Sequence, residues 1–477
     1  MTATRRRFLK RVGRGVLAST MAVQSNQTRA ADEAGRAKSA PGPLKVCKRN
    51  PRYFADATGR AVYLCGSHVW NNLVDMGPGY PPPPFDFAAY LDFLDRYGHN
   101  FIRLWTWENF TWDTSANGSW GKPKPHTVAP HPWARTGPGD ARDGRPKFDL
   151  TRFDDDYFRR LRRRVIEAGN RGIYVSVMLF EGWAMQRMKD AWLSHPFHPA
   201  NNINGIDGDR NGDRRGLEVH TLGRPEITSI QEAYVRKVIE TVGDLDNLLY
   251  EISNENHPAS TKWQYHMIRF IKKQESGRAK QHPVGMTFQF RGGRNQTLFD
   301  SPADWISPNP EGGYRTDPPA SDGRKVIITD TDHLWGIGGT ADWVWKSFTR
   351  GLNPIFMDPY DGTVLAGRFD PRWEPVRVSM GVTRKLTSQS DMTAMVPRGD
   401  LASTGYCLAQ PGKSYVVYAP QGGEVRVDLS DASSPLKVAW IDAATGKTSR
   451  EQRIQPRSQT FAAPNQSGWI LWLRAEK

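Results

Sequence analysis

Between residues 61 and 357 one pattern recurs: a short apolar run stops abruptly in polar or aromatic residues, and a helical pattern usually follows. The runs lie at 61–70, 100–105, 173–180, 247–252, 284–289, 305–307, 325–329 and 354–357. Amphipathic spacing falls at 87–97, 154–168, 228–242, 263–274 and 342–349, and from 374 to about 386. Helices five and six have the weakest pattern. Asp154, Asp155 and Asp156 open one helix at the end where its dipole favours negative charge. Apolar runs buried on both faces and joined by helices form parallel sheets, because parallel neighbours need a long crossover. Eight of them predict a closed (β/α)8 barrel with its functional residues at the C-terminal strand ends.

After residue 398 the texture changes to short strands between Gly, Asn and Asp turns, at 414–418, 424–429, 437–442 and 469–473. This predicts a small antiparallel β-sandwich. The expected division is therefore a targeting segment at 1–30, a flexible tail at 31–43, a barrel at 44–397 and a β-domain at 398–477. The targeting segment is read from Arg5-Arg6-Arg7-Phe8-Leu9-Lys10, a twin-arginine pattern, followed by a weakly apolar stretch and small residues near Ala30. It predicts export of a folded protein to the periplasm or beyond. No run of about 18 apolar residues predicts a membrane span.

The formal charge of +15 falls to about +8 without residues 1–30. Arginines such as Arg159, Arg160, Arg162, Arg163 and Arg164 accompany no nucleic-acid motif and read first as solvated helix faces. An anionic polysaccharide partner is the second reading. Cys47, Cys65 and Cys407 have no metal-ligand spacing, and three free thiols are expected. Asp207, Asp209, Asn211, Asp213 and Glu218 fit a calcium-loop pattern in full. However, no helix flanks it, and Arg210, Arg214 and Arg215 add positive charge. The expectation is a polar loop without metal or cofactor, with structural calcium as the alternative.

The run 247–257 ends in Asn254-Glu255-Asn256-His257, and the seventh run ends in Asp330-Thr331-Asp332-His333. Strands four and seven face each other across a barrel mouth, so their carboxyls can flank a bound sugar. Glycoside hydrolysis needs two such groups, one to protonate the leaving oxygen and one to attack or to activate water. His68, Trp70, Trp105, Trp107, Trp183 and Trp335 recur at strand ends, where tryptophan serves loop packing or sugar stacking. Glu108, Glu181 and Asp358 end strands two, three and eight and are candidates for sugar hydroxyls or for loop ion pairs. His257 and His333 are candidates for tuning the carboxyls.

The run Tyr250 to Asn256 resembles the strand-four motif of the clan A glycoside hydrolases, and Arg103 resembles the clan's strand-two arginine. The opening YFADATGRAVYLCGSHVW, with the strand spacing and the trailing collagen-binding-type β-domain, resembles the apiosidase-like glycosidases. The resemblance implies that Glu255 is the acid/base, that Asn254 bonds a sugar 2-hydroxyl and that Arg103 steadies the strand-seven carboxylate. This chain departs from the clan at strand seven, where Asp332 or Asp330 stands in place of a glutamate; Asp332 is the preferred second carboxylate. The rival reading is a non-catalytic carbohydrate-binding or matrix-adhesion protein on a degenerate barrel. A metal-dependent hydrolase fits less well, since His68 stands without the paired histidine of a His-x-His motif.

Overall fold

A computed structural model describes residues 42–113, 125–360 and 371–476. The targeting segment, nearly all of the tail and part of the loop after the second strand lie outside the described residues. Eight parallel strands close a barrel: β1 (Gly66–His68), β2 (Phe101–Leu104), β3 (Tyr174–Glu181), β4 (Leu248–Asn254), β5 (Val284–Thr287), β6 (Trp305–Ser307), β7 (Val326–Asp330) and β8 (Asn353–Met357). Every residue of these strands is buried, as the unbroken apolar runs require. The run at 61–70 divides in two. Ala61–Val62 pairs with Phe54–Ala55 outside the barrel, and only Gly66–His68 enters it. A Cβ at Gly66 would lie 2.0 Å from the Phe101 carbonyl oxygen, so glycine is what lets β1 close against β2.

The main outer helices are α1 (Phe87–Tyr97), α2 (Asp155–Gly169), α3 (Pro225–Val242), α4 (Thr261–Glu275), α5 (Asn295–Phe299), α6 (Ala341–Thr349) and α7 (Glu374–Ser388). Asp154 caps α2 by accepting the Asp156 and Tyr157 amides. Helix five shrinks to five residues, and after β6 there is only a 3-10 turn at Glu311–Gly313. Arginines of α2 form ion pairs, Arg160 with Asp75 and Arg162 with Asp244 beyond the helix and Arg159 with Asp156 and Arg163 with Glu167 within it. Arg164 is not on a solvated face: it is 3% exposed, and its guanidinium reaches the Asn72 carbonyl and lies 3.9 Å from Asp75.

The long connection after β2 is more regular than its glycine and proline content suggests. Trp133–Asp140 and Pro146–Phe153 form an antiparallel hairpin, held by Trp133 against Phe197 and Tyr234.

The C-terminal domain is antiparallel. Its first sheet runs Val396–Pro397, Cys407–Gln410, Ser414–Ala419, Trp469–Ala475, Leu436–Asp442, Gln452–Ile454, and Glu424–Val427 pairs with Gln459–Ala462 in a second. The first of these strands begins two residues ahead of the expected boundary at 398. The domain is fixed to the barrel: the Trp345 indole donates to the Ala443 carbonyl (3.0 Å), as does Ser379 (2.7 Å), and Tyr418 donates to Asp342 (3.0 Å). All three cysteines are free and buried.

Candidate active site

β3 and β4 are in register with Glu181 opposite Asn254, so their ends deliver polar groups side by side. Immediately after β4 the backbone turns through Glu255 at φ +41°, a left-handed conformation unusual for a residue with a side chain. Gln186 secures this turn by donating to the Glu255 carbonyl (2.9 Å) and to Gly182 (3.0 Å). Gly182 is required because a Cβ there would fall 2.4 Å from Asn256. The Glu255 side chain, which makes no hydrogen bond to the described residues, is thus aimed by a strained backbone.

Arg103, on β2, is the hub beneath the pocket. It donates to Glu251 (2.9 and 2.5 Å), Asp330 (2.7 Å) and Asn254 Oδ1 (2.7 Å), and it lies 4.6 Å from the Trp105 ring centre. Asp330 is fully occupied. Its Oδ1 accepts from His68 Nε2 and from the Asp332 amide, both at 2.9 Å, and its Oδ2 takes Arg103. Burial alone would raise its pKa, but His68 and Arg103 outweigh that and hold it below the usual carboxylate range. Asp332 is the contrasting case. Its Oδ2 is buried without a hydrogen-bond partner among the described residues, 3.6 Å from Arg103 and 3.9 Å from His333. Burial, then the charge of Asp330, raises its pKa, and Arg103 opposes them. Glu255 is raised well above the ordinary value, by burial first and then by the charges of Asp332 and Glu181. One polar atom each of Glu255, Asp332 and His333 lies within 4.8 Å of the others.

His333 is neutral, its pKa pushed down to about 3 by burial. The Ser307 hydroxyl lies 2.7 Å from its Nδ1, and its Nε2 faces Asn254 Oδ1 (3.1 Å), an oxygen that already accepts from Arg103; Nε2 is therefore the protonated nitrogen. This fixes the Asn254 amide, whose Nδ2 points to Glu181 (3.4 Å). Glu181 also accepts the Trp183 and Ala184 amides, and burial pushes its pKa up to about 8.

Above these groups opens a cavity of about 300 Å³ lined by Trp70, Trp105, Trp107, Trp183, Phe288 and Trp335 among others. The indole N–H groups of Trp70 and Trp105 are buried without partners among the described residues. A larger depression, about 780 Å³, lies between α2 and α3, but its Asp244 is paired with Arg162 and it contains none of the strand-end groups.

Of the residues expected to bind substrate, Trp70, Trp105, Trp107, Glu181, Trp183, Asn254 and His333 line the cavity together with Glu255 and Asp332. Four do not. Arg103 and His68 lie below the floor. Glu108 is turned away, 3.1 Å from His220, 3.5 Å from His195 and accepting the Glu181 amide. Asp358 is tied to Arg377 by two bonds of 2.8 and 2.6 Å. His257 is also absent from the lining and bonds the Leu217 carbonyl. Asp358 is thus paired with a buried cation, and Glu108 is held away from the cavity by two histidines and a backbone amide. Glu251, Phe288, Phe290, Arg187 and Arg315 were not singled out by the sequence. Glu251 alone carried a signal, an acid inside an otherwise apolar strand.

In the calcium-like loop only Asp209, Asp213 and Glu218 converge within 4.8 Å. Asp207 Oδ1 and Asn211 Oδ1 accept the amides of Asp209 and Asp213, and Asp209 and Glu218 accept the amides of Arg214 and Asn211 through one oxygen each, the other being buried without a partner among the described residues.

A family model described as a domain of unknown function (DUF6298) matches residues 126–289. A second, described as "Putative collagen-binding domain of a collagenase", matches 394–474. No curated protein matches the chain. Among solved structures, a glycoside hydrolase family 5 protein from Bacteroides vulgatus is 12% identical at a TM-score of 0.61, covering 92% of this chain and 94% of that one. A structure named only as a glycoside hydrolase has 13% identity and a TM-score of 0.58, covering 91% and 97%. Another Bacteroides vulgatus structure, named as a "putative glycoside hydrolase", has 12% identity and a TM-score of 0.62, covering 92% and 83%. These likenesses establish a shared two-domain architecture, a (β/α)8 barrel with a trailing β-domain.

Proposed function

We propose that this protein is an exported glycoside hydrolase that cleaves O-glycosyl bonds of a polysaccharide or oligosaccharide with retention of configuration. The observation that carries the reading is the approach of Glu255 and Asp332 to within 4.8 Å on the floor of an aromatic pocket. Retaining carboxyl pairs stand about 5–5.5 Å apart and inverting pairs about 6.5–9.5 Å. Glu255 gives its proton to the glycosidic oxygen while Asp332 attacks the anomeric carbon, and the carbon–oxygen bond to the leaving group breaks. Glu255, now ionised, takes a proton from water, and that water displaces Asp332 from the glycosyl-enzyme. Asn254 offers its amide N–H to the 2-hydroxyl. Asp330 orients Arg103 and His68 and takes no direct part. The names of the structural neighbours support this reading, and the chain's opening and β-domain favour an apiosidase-like subtype.

A panel of plant, algal and bacterial polysaccharides assayed for reducing ends should yield product from at least one. Proton spectra should show the initial anomer unchanged in configuration. Binding without product across the panel would favour the adhesion reading.

No metal enters this scheme. His333 offers no free lone pair, and in the calcium-like loop one oxygen each of Asp207, Asp209, Asn211, Asp213 and Glu218 accepts a loop amide, although Asp209 Oδ1 and Glu218 Oε2 are buried without a partner among the described residues. Chelation with EDTA is expected to leave turnover and melting temperature unchanged; a drop in either would assign the loop a structural ion.

A further inference from the structure

The rim of the pocket carries a charge that the carboxyl chemistry below does not use. Arg315 follows β6 and lines the pocket, exposed to solvent, with its guanidinium 5.7 Å from the Trp335 ring centre. Among the described residues it has no ion pair or hydrogen bond. The acids nearest in sequence are engaged elsewhere. Glu311 accepts the Asn295 amide (2.8 Å), and Asp317 takes the Tyr406 hydroxyl (2.8 Å) and lies 3.8 Å from Arg350. The loop itself is anchored: Tyr314 is 5% exposed, its carbonyl accepts the Trp343 indole (3.1 Å), and Gly313 accepts the Thr316 and Asp317 amides. An unpaired guanidinium on a fixed backbone, laid on an indole, presents a planar fork of donors toward the cavity.

A second basic element lines the same pocket. Arg187, at the end of the Ala184–Arg187 turn, lies 5.8 Å from the Phe290 ring centre, and Arg291 lies 5.5 Å from the same ring. A neutral sugar is recognised by hydroxyl hydrogen bonds and aromatic faces and calls for no cation. The floor, in contrast, holds Glu181, Glu255 and Asp332, so a charged substituent on the sugar being cleaved would meet carboxyls. An anionic group is accommodated only at the mouth.

We infer that the substrate is an anionic glycan, bearing a uronate carboxylate or a sulfate ester on a unit next to the one cleaved, and that Arg315 is the residue that selects it. This rests on the pocket being a glycan site, and the test is read by binding rather than turnover. Calorimetric titration of the full-length Glu255→Gln protein would use oligogalacturonate and a sulfated galactan oligosaccharide, each against its methyl-esterified or desulfated neutral counterpart. One anionic series should bind at least about tenfold tighter than its counterpart. The advantage should fade as salt rises, since exposed charges are screened. Adding Arg315→Ala should reduce the preference to about threefold or less, while Arg315→Lys retains part of it; melting temperatures check that each variant is folded. The stronger series separates carboxylate from sulfate. Equal affinity for charged and neutral partners, a preference untouched by Arg315→Ala, or no binding of either anionic series would overturn the inference. Wild-type protein releasing no reducing ends would instead count against the glycosidase reading alone.

Discussion

Glu255→Gln should lower kcat/KM by about 10²–10⁴ while leaving the melting temperature and sugar binding close to wild type. Glutamine keeps the shape of a side chain that makes no hydrogen bond of its own, so the loss falls on proton transfer. The pH profile gives an independent check. The active form has one proton on the pair, carried by Glu255, with Asp332 ionised beside Arg103. As pH falls, Asp332 takes up a proton and the nucleophile is lost; as pH rises, Glu255 loses its proton and the acid is lost. Burial raises both groups, the charge of Asp330 adds to the rise at Asp332, and the charge of Asp332 adds to the rise at Glu255, so the two limbs belong to the pair. The bell of kcat/KM should therefore lie on the alkaline side of the ordinary carboxylate range near about 4, and Glu255→Gln should remove its alkaline limb. An optimum below about pH 5, or full activity in the variant, would sink the assignment.

Most of what positions this pair was legible because it depends on local pattern. The eight apolar runs became the eight barrel strands, since a strand buried on both faces has to be apolar along its length. Strand ends are where polarity returns, so Glu255 and Asp332 were visible as candidates. Helices five and six were faint for a physical reason: one is five residues long and the other is replaced by a turn with Gly312 and Gly313 at positive φ. The hairpin at 133–153 was missed because Gly137-Pro138-Gly139 reads as loop, while Trp133 is held by Phe197 and Tyr234 from distant segments. Partners separated by long stretches of chain were equally hidden. Nothing near Glu108 or Asp358 announces His220 or Arg377, and nothing around Arg315 marks it as unpaired. The oxygens of Asp330 that His68, Arg103 and the Asp332 amide already occupy were hidden in the same way.

Removing the cation at the centre of this network should be the most destabilising single change. Arg103 is 2% exposed and holds Glu251, itself fully buried, together with Asp330. Arg103→Met leaves two carboxyls without their cation, and breaking a buried pair in this way costs about 3–5 kcal/mol. The denaturation midpoint should fall accordingly. Pairing it with Glu251→Gln should recover part of the loss, because one of the stranded charges is then gone. Arg103→Lys separates the structural role from the catalytic one. An ammonium keeps the charge but cannot span Glu251, Asp330 and Asn254 at once, so stability should fall less than in the methionine variant. With the cation drawn away from Asp332, that carboxyl should rise further, and the acid limb of kcat/KM should move to higher pH. A lysine variant with lowered stability and an unmoved acid limb would show that Arg103 braces the barrel without acting on Asp332.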